Sequence, residues 1–141
     1  MYQHILLPVD LGHPESFRKA VPVAAKLADS FDACLHVMTV VPDYGMSIVG
    51  QFFPKQHEGE MLAEAQKLLH AFTDEHLPGR QVQHIVAHGS VYQEILRMAE
   101  EIRIDLIVMA SHRPGLEDYL LGPNAARVVR HAPQSGMVVR D

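Results

Sequence analysis

The 141-residue chain has no tryptophan, a single cysteine and aromatic side chains at only 6% of its positions. One cysteine, Cys34, excludes an internal disulfide framework and any CxxC metal site. No apolar run approaches the ~20 residues of a membrane span, and Met1-Tyr2-Gln3-His4 carries no signal-peptide pattern. A cytoplasmic protein without a membrane partner is therefore expected. Basic residues are also scarce: twelve Lys and Arg stand against seventeen Asp and Glu, a formal net charge of -5. Phosphate-backbone affinity comes from clustered Lys and Arg, so general nucleic-acid binding is excluded as an expectation.

What the chain does have is 48% hydrophobic residues over a length typical of one domain, so residues 1–141 read as a single unit with a sizeable core. Charge is uneven along it. Residues 1–102 hold seven basic and thirteen acidic groups, whereas 103–141 hold five and four. An anion meets least repulsion in that last segment. Ten histidines are present, but none has ligand spacing: His70 and His76 miss the i, i+4 pairing of a HExxH site, and His84 and His88 have no carboxylate or thiol partner. They read as scattered surface residues that make the net charge pH-sensitive, with no metal site.

Apolar runs punctuated by turn residues give the organisation. His4–Val9, Ala33–Val41, Val82–Ala87, Asp105–Ala110 and Met137–Arg140 read as strands. The first, second and fourth are apolar on both faces, as buried parallel strands are. The fourth is the most apolar and is expected at the centre. Helical spacing runs from Pro14, suited to a first helical position, to Ser30, with Pro22 expected to bend that helix. Further helices are expected over Glu60–Leu77, from Gly89-Ser90 to Ile102, and over Asn124–His131. Pro42–His57 has no clean period and reads as a long loop; its Met46, Ile48, Val49, Phe52 and Phe53 either form a lid or partner contact or fold onto the core. Cys34 reads as core packing.

Strands alternating with helices predict an α/β fold, a parallel sheet covered on both faces. In such sheets ligands bind beyond the strand carboxyl ends, where strand order reverses. Those ends carry Asp10, Val41-Pro42 and Ala110-Ser111-His112-Arg113. Strand-end amides and the helix start in Leu120-Leu121-Gly122-Pro123-Asn124-Ala125 suit an anion. Gly122 permits close backbone approach, Arg113 offers a planar fork of donors, and Asp10 can accept from a ribose hydroxyl. Asp10 has an alternative reading as a turn cap, and His112 as an exposed loop residue. Pro123 fits a first helical position.

Ile5-Leu6-Leu7-Pro8-Val9-Asp10, Asp105 to Arg113 and Leu120 to Ala125 together resemble the signature blocks of the universal stress protein family. Arg127 to Ala132 and Met137 to Arg140 continue the resemblance, which is closest to the F/G-type branch and covers essentially the whole chain. It implies a three-layer, Rossmann-like open sheet of five parallel strands in the order 3-2-1-4-5, of the adenine nucleotide alpha hydrolase-like type. It also implies a homodimer paired through the last strand (136–140). The implied cofactor is ATP, or ADP or AMP, with or without Mg²⁺. The residues matching its contacts are Pro8, Val9, Asp10, Val40, Ala110, Ser111, His112, Arg113, Gly122, Asn124 and Ala125.

Three departures stand out. The family pattern is Gly-x-x-Gly, nine residues, then Gly with Ser or Thr. Here Ala110 and Arg113 replace the first two glycines, the spacer to Gly122 is one residue shorter, and Pro123 replaces the hydroxyl residue. Losing two donors costs a triphosphate about 2–4 kcal/mol, at about 1.5–3 for each charge-assisted bond with partial compensation. Gln134-Ser135-Gly136 also stands where the family has Cys-Pro.

Three functions follow as expectations. The first is an adenine-nucleotide-binding, dimeric regulatory or protective stress-response protein. The second is a slow nucleotide hydrolase, for which Asp10, His112 and Arg113 are the only candidate groups and no second acidic ligand is in the motif. The third is a nucleotide-free dimeric interaction protein, with a protein partner the residues do not name.

Overall fold

A computed structural model describes residues 1–13, 17–42, 55–111 and 121–140, and only the backbone over 55–58 and 121–123. Five strands, β1 (His4–Pro8), β2 (Cys34–Pro42), β3 (Gln83–Gly89), β4 (Leu106–Ser111) and β5 (Ser135–Arg140), form one sheet in the order β3-β2-β1-β4-β5. Every neighbouring pair is parallel. Among the described residues four helices connect them: α1 (Ala20–Phe31), α2 (Lys55–His76), α3 (Val91–Glu101) and α4 (Leu121–His131).

The continuous apolar strands are explained by cover on both faces. Ile5, Leu6, Leu7, Ile107, Val108 and Met109 have no exposed surface. Phe17 meets Phe72 of α2 edge-on, and Arg80 beyond α2 reaches Asp29 of α1, which marks α1 and α2 as neighbours on one face. On the other, Arg127 of α4 lies over the Tyr92 ring of α3. β1 holds the middle of the sheet and β4, expected there, lies beside it.

Element ends differ from the sequence reading for local reasons. α1 begins at Ala20, so Pro22 falls in its first turn, where no backbone N–H is needed, and does not bend a longer helix. The expectation for Pro14 lies outside the described residues. α2 starts at Lys55, within the stretch read as loop; the remainder of that stretch, 43–54, is not described. α4 starts at Leu121, so Pro123 is the third helical residue and not the first. Cys34 is exposed, because as the first residue of β2 it sits on the rim of the sheet and not in its core.

The amino-terminal rim is tied down by side chains. The Asp105 carboxylate accepts from the backbone N–H of Gln3 (2.8 Å) and of His4 (3.0 Å), and the Asp105 N–H donates back to the His4 carbonyl. α1 and α3 are closed the same way. Asp32 (φ 53°) and Arg103 (φ 58°) adopt left-handed backbone, and the next residues, Ala33 and Ile104, donate to Ala28 and Ala99. Four of the histidines are not scattered: His36 is buried against His4 and Gln83, and His84 stacks on His70.

Candidate functional site

Strand order reverses between β1 and β4, and the two strands separate there. They pair only at Ile5↔Leu106 and Leu6↔Ile107, although β1 continues to Pro8 and β4 to Ser111. β1 stays paired with β2 through Pro8↔Met38, and the Val9 N–H donates to the Met38 carbonyl at 2.7 Å. The split therefore opens on the β4 side alone. A crevice beyond strand carboxyl ends at such a reversal is where ligands of open α/β sheets lodge.

The residues around it come from three adjacent strands. Pro8, Val9 and Asp10 end β1, Val40 lies near the end of β2, and Ala110 and Ser111 end β4. Carrying the strand registers forward sets Asp10 level with Val40 on one side and Ser111 on the other. Pro8, Val9, Val40 and Ala110 are buried, and Ser111 is half-buried. Asp10 is 4% exposed, and its Oδ1 accepts from the Gly12 N–H at 3.0 Å. The His13 N–H donates to the Asp10 carbonyl. Asp10 thus closes the turn after β1, while its position at the crevice also keeps the ligand reading open. A Cβ at Gly12 would lie 3.3 Å from Asp10 Oδ1, so a larger residue there would press on that carboxylate.

The chain returns to the sheet through α4. Ala125 is buried, Asn124 is half-buried, and Gly122 and Pro123 lie in the first turn. The first-turn N–H groups of a helix have no partner within it and carry its positive end. Pro123 removes one of those donors. His112 and Arg113, both expected at the site, lie outside the described residues.

Sequence reasoning missed Arg140. β4–β5 register pairs Ser111 with Arg140, placing a guanidinium-bearing residue at the same end of the sheet, and equal distance from the strand ends was the only available signal. Among the described residues no group of three His, Cys, Asp or Glu side chains can hold a metal ion. A cavity of about 1000 Å³ opens elsewhere, between α1 and the end of α2, over Phe17, Val21 and Leu77. None of the expected site residues lines it.

Comparison with known proteins gives a consistent result. The profile of the universal stress protein family matches residues 1–140. Universal stress protein G of Shigella flexneri is 36% identical over 148 residues, covering 99% of this chain and 100% of the relative. Among solved structures, a hypothetical protein superposes with a TM-score of 0.73 at 21% identity, over 100% of this chain and 97% of the other. A universal stress protein solved in complex with cAMP superposes with a TM-score of 0.66 at 22% identity, over 98% and 96%. At those identities the structural likeness speaks for the fold.

Proposed function

The chain belongs to the universal stress protein family, and from that premise we propose that it binds an adenine nucleotide in the crevice between β1 and β4. Val9, Asp10 and Val40 take the nucleoside end. Ala110, Ser111 and the first turn of α4, with His112 and Arg113, take the phosphates. ATP, ADP and AMP are the candidate ligands, and Mg²⁺ accompanies the polyphosphates. We place the protein in the cytoplasm as a homodimer joined through β5, acting as a regulatory or protective module.

The observation that carries this reading is the parting of β1 and β4 at the point of strand reversal, with the buried Asp10 at its lip. That a neighbour of the same fold was solved with cAMP supports an adenine ligand. For the dimer, β5 is an edge strand of the sheet and its Met137 is 38% exposed, a surface that a second copy would cover. No described helix is long and apolar enough to cross a membrane, which accords with that placement.

Calorimetric titration of the full chain with ATP, ADP and AMP tests the site. Binding at micromolar to sub-millimolar concentration is expected; no heat up to millimolar nucleotide overturns it.

One observation favours a second reading, a dimer that works without nucleotide. Pro123 stands inside the first turn of α4, so the phosphate cradle lacks an N–H that a non-proline residue would supply. Native mass spectrometry separates the two: co-purified nucleotide retires the second reading, and a bare dimer together with silent calorimetry establishes it.

A further inference from the structure

Two histidine pairs lie on opposite faces of the seam between β2 and β3. Gln83 and His84 are consecutive on β3, so their side chains leave opposite faces of the sheet. On one face His36 of β2 bridges three strands. Its Nδ1 meets the Gln83 Oε1, and its Nε2 lies 3.1 Å from the His4 Nδ1 of β1. An amide oxygen only accepts, so His36 carries its hydrogen on Nδ1 and one hydrogen is left to share with His4. On the other face His84 meets α2. Thr73 spends its hydroxyl hydrogen on the His70 carbonyl (3.1 Å), so its oxygen accepts from the His84 Nε2–H (2.7 Å). The His70 ring stacks on His84 with centroids 3.7 Å apart, and the His70 Nε2 accepts from the Gln66 amide N–H.

We propose that this seam is an acid-sensitive latch: neutral imidazoles hold β3 and α2 onto the sheet, and their protonation loosens that edge unit first. In each pair a second proton is opposed by the first. A second proton on His4–His36 sets N–H against N–H, and two protons on His70–His84 put like charges face to face. Burial holds His36 below the ordinary histidine range, partly offset by its bond to Gln83 and reinforced by the neighbouring His4; burial, with His70, does the same for His84, partly offset by Asp74 of α2. The carboxylate nearest the first pair is Asp105, already taken up by the backbone N–H groups of Gln3 and His4. α1 turns Ala20, Val21, Ala24 and Ala28 inward, with Asp29 engaged by Arg80. α3 buries Val91, Ile95 and Ala99, and its Glu94 and Glu101 are engaged by Arg97. A histidine depressed in the fold contributes stability that is complete above its unfolded value near 6.5 and is lost as pH falls towards its folded value.

Two measurements on the full chain test this. In NMR titration of the imidazole protons, His36 and His84 are expected to change below pH 6.5, and the exposed-site variant His70→Gln should move the His84 midpoint upward. Hydrogen exchange at pH 7.5 and 5.0, corrected for intrinsic rates, should show β3 and α2 losing about tenfold more protection than β1 and β4. Ordinary or raised midpoints, an unmoved His84 in His70→Gln, or loss of protection spread evenly over the sheet would each overturn the latch.

Discussion

The two ends of the sheet are built differently. At the amino-terminal end, side chains lock strands to one another: Asp105 clamps β1, His36 joins β1 to β3, and Arg80 ties the segment after α2 to α1 at 2.7 Å. At the carboxyl end, β1 and β4 are left unpaired, and the described polar contact at their lip is the short turn from Asp10 to Gly12. One end is closed by long-range side-chain bonds between elements; the other keeps an opening between β1 and β4. Stability and ligand capture are thus drawn from different ends, so substitutions at each should fail in different assays.

Asp105→Ala is the severest test of the closed end. It strips the carboxylate from two backbone N–H groups, and a loss of about 2–3 kcal/mol is expected, given ~1.5–3 for a charge-assisted bond and partial rescue by water at the exposed Gln3. Urea unfolding reads that loss, and nucleotide affinity of the folded fraction should stay unchanged. Asp10→Asn probes the open end. The amide oxygen still serves the Gly12 N–H, so the unfolding midpoint should barely move, while adenosine nucleotide affinity falls about tenfold, roughly 1.4 kcal/mol, for one weakened ribose contact. Equal effects of the two substitutions in both assays would erase the distinction between the ends.

The smallest effect is expected for Arg80→Gln. The Arg80 guanidinium holds the Asp29 carboxyl below its ordinary range, but that carboxyl is in open solvent. The stabilisation is present above the unfolded carboxylate value near 3.9 and vanishes as pH falls through the lower folded one. Wild type and variant should therefore converge in acid, and also in high salt, which screens exposed pairs. A difference that does not shrink as pH falls would assign Arg80 a packing role instead.

Much of the carboxyl end was legible in the sequence because its residues follow one another. Asp10 stands directly after an apolar run, and Ser111 directly after another, so alternation of strand and helix was enough to bring them to one edge. Helix starts were less legible. Lys55-Gln56-His57-Glu58 lacks an apolar stripe, and Pro123 was expected to open its helix, yet both helices begin earlier and these residues fall in first turns, where proline is tolerated. The histidine pairs were invisible because they join residues 32 and 14 positions apart across strands and between strand and helix. Register, not spacing, puts them in contact.

The chain alone determined the α/β class and the five strands, because hydrophobic period is a property of neighbours in sequence. It also carried the signature blocks by which the family is recognised. Only the tertiary structure decided that β1 and β4 part before they end, that Arg140 shares a row with Ser111, and that Cys34 faces solvent. Those are facts of strand register and of position on a rim. Both are fixed when distant segments pack, and no local pattern encodes them.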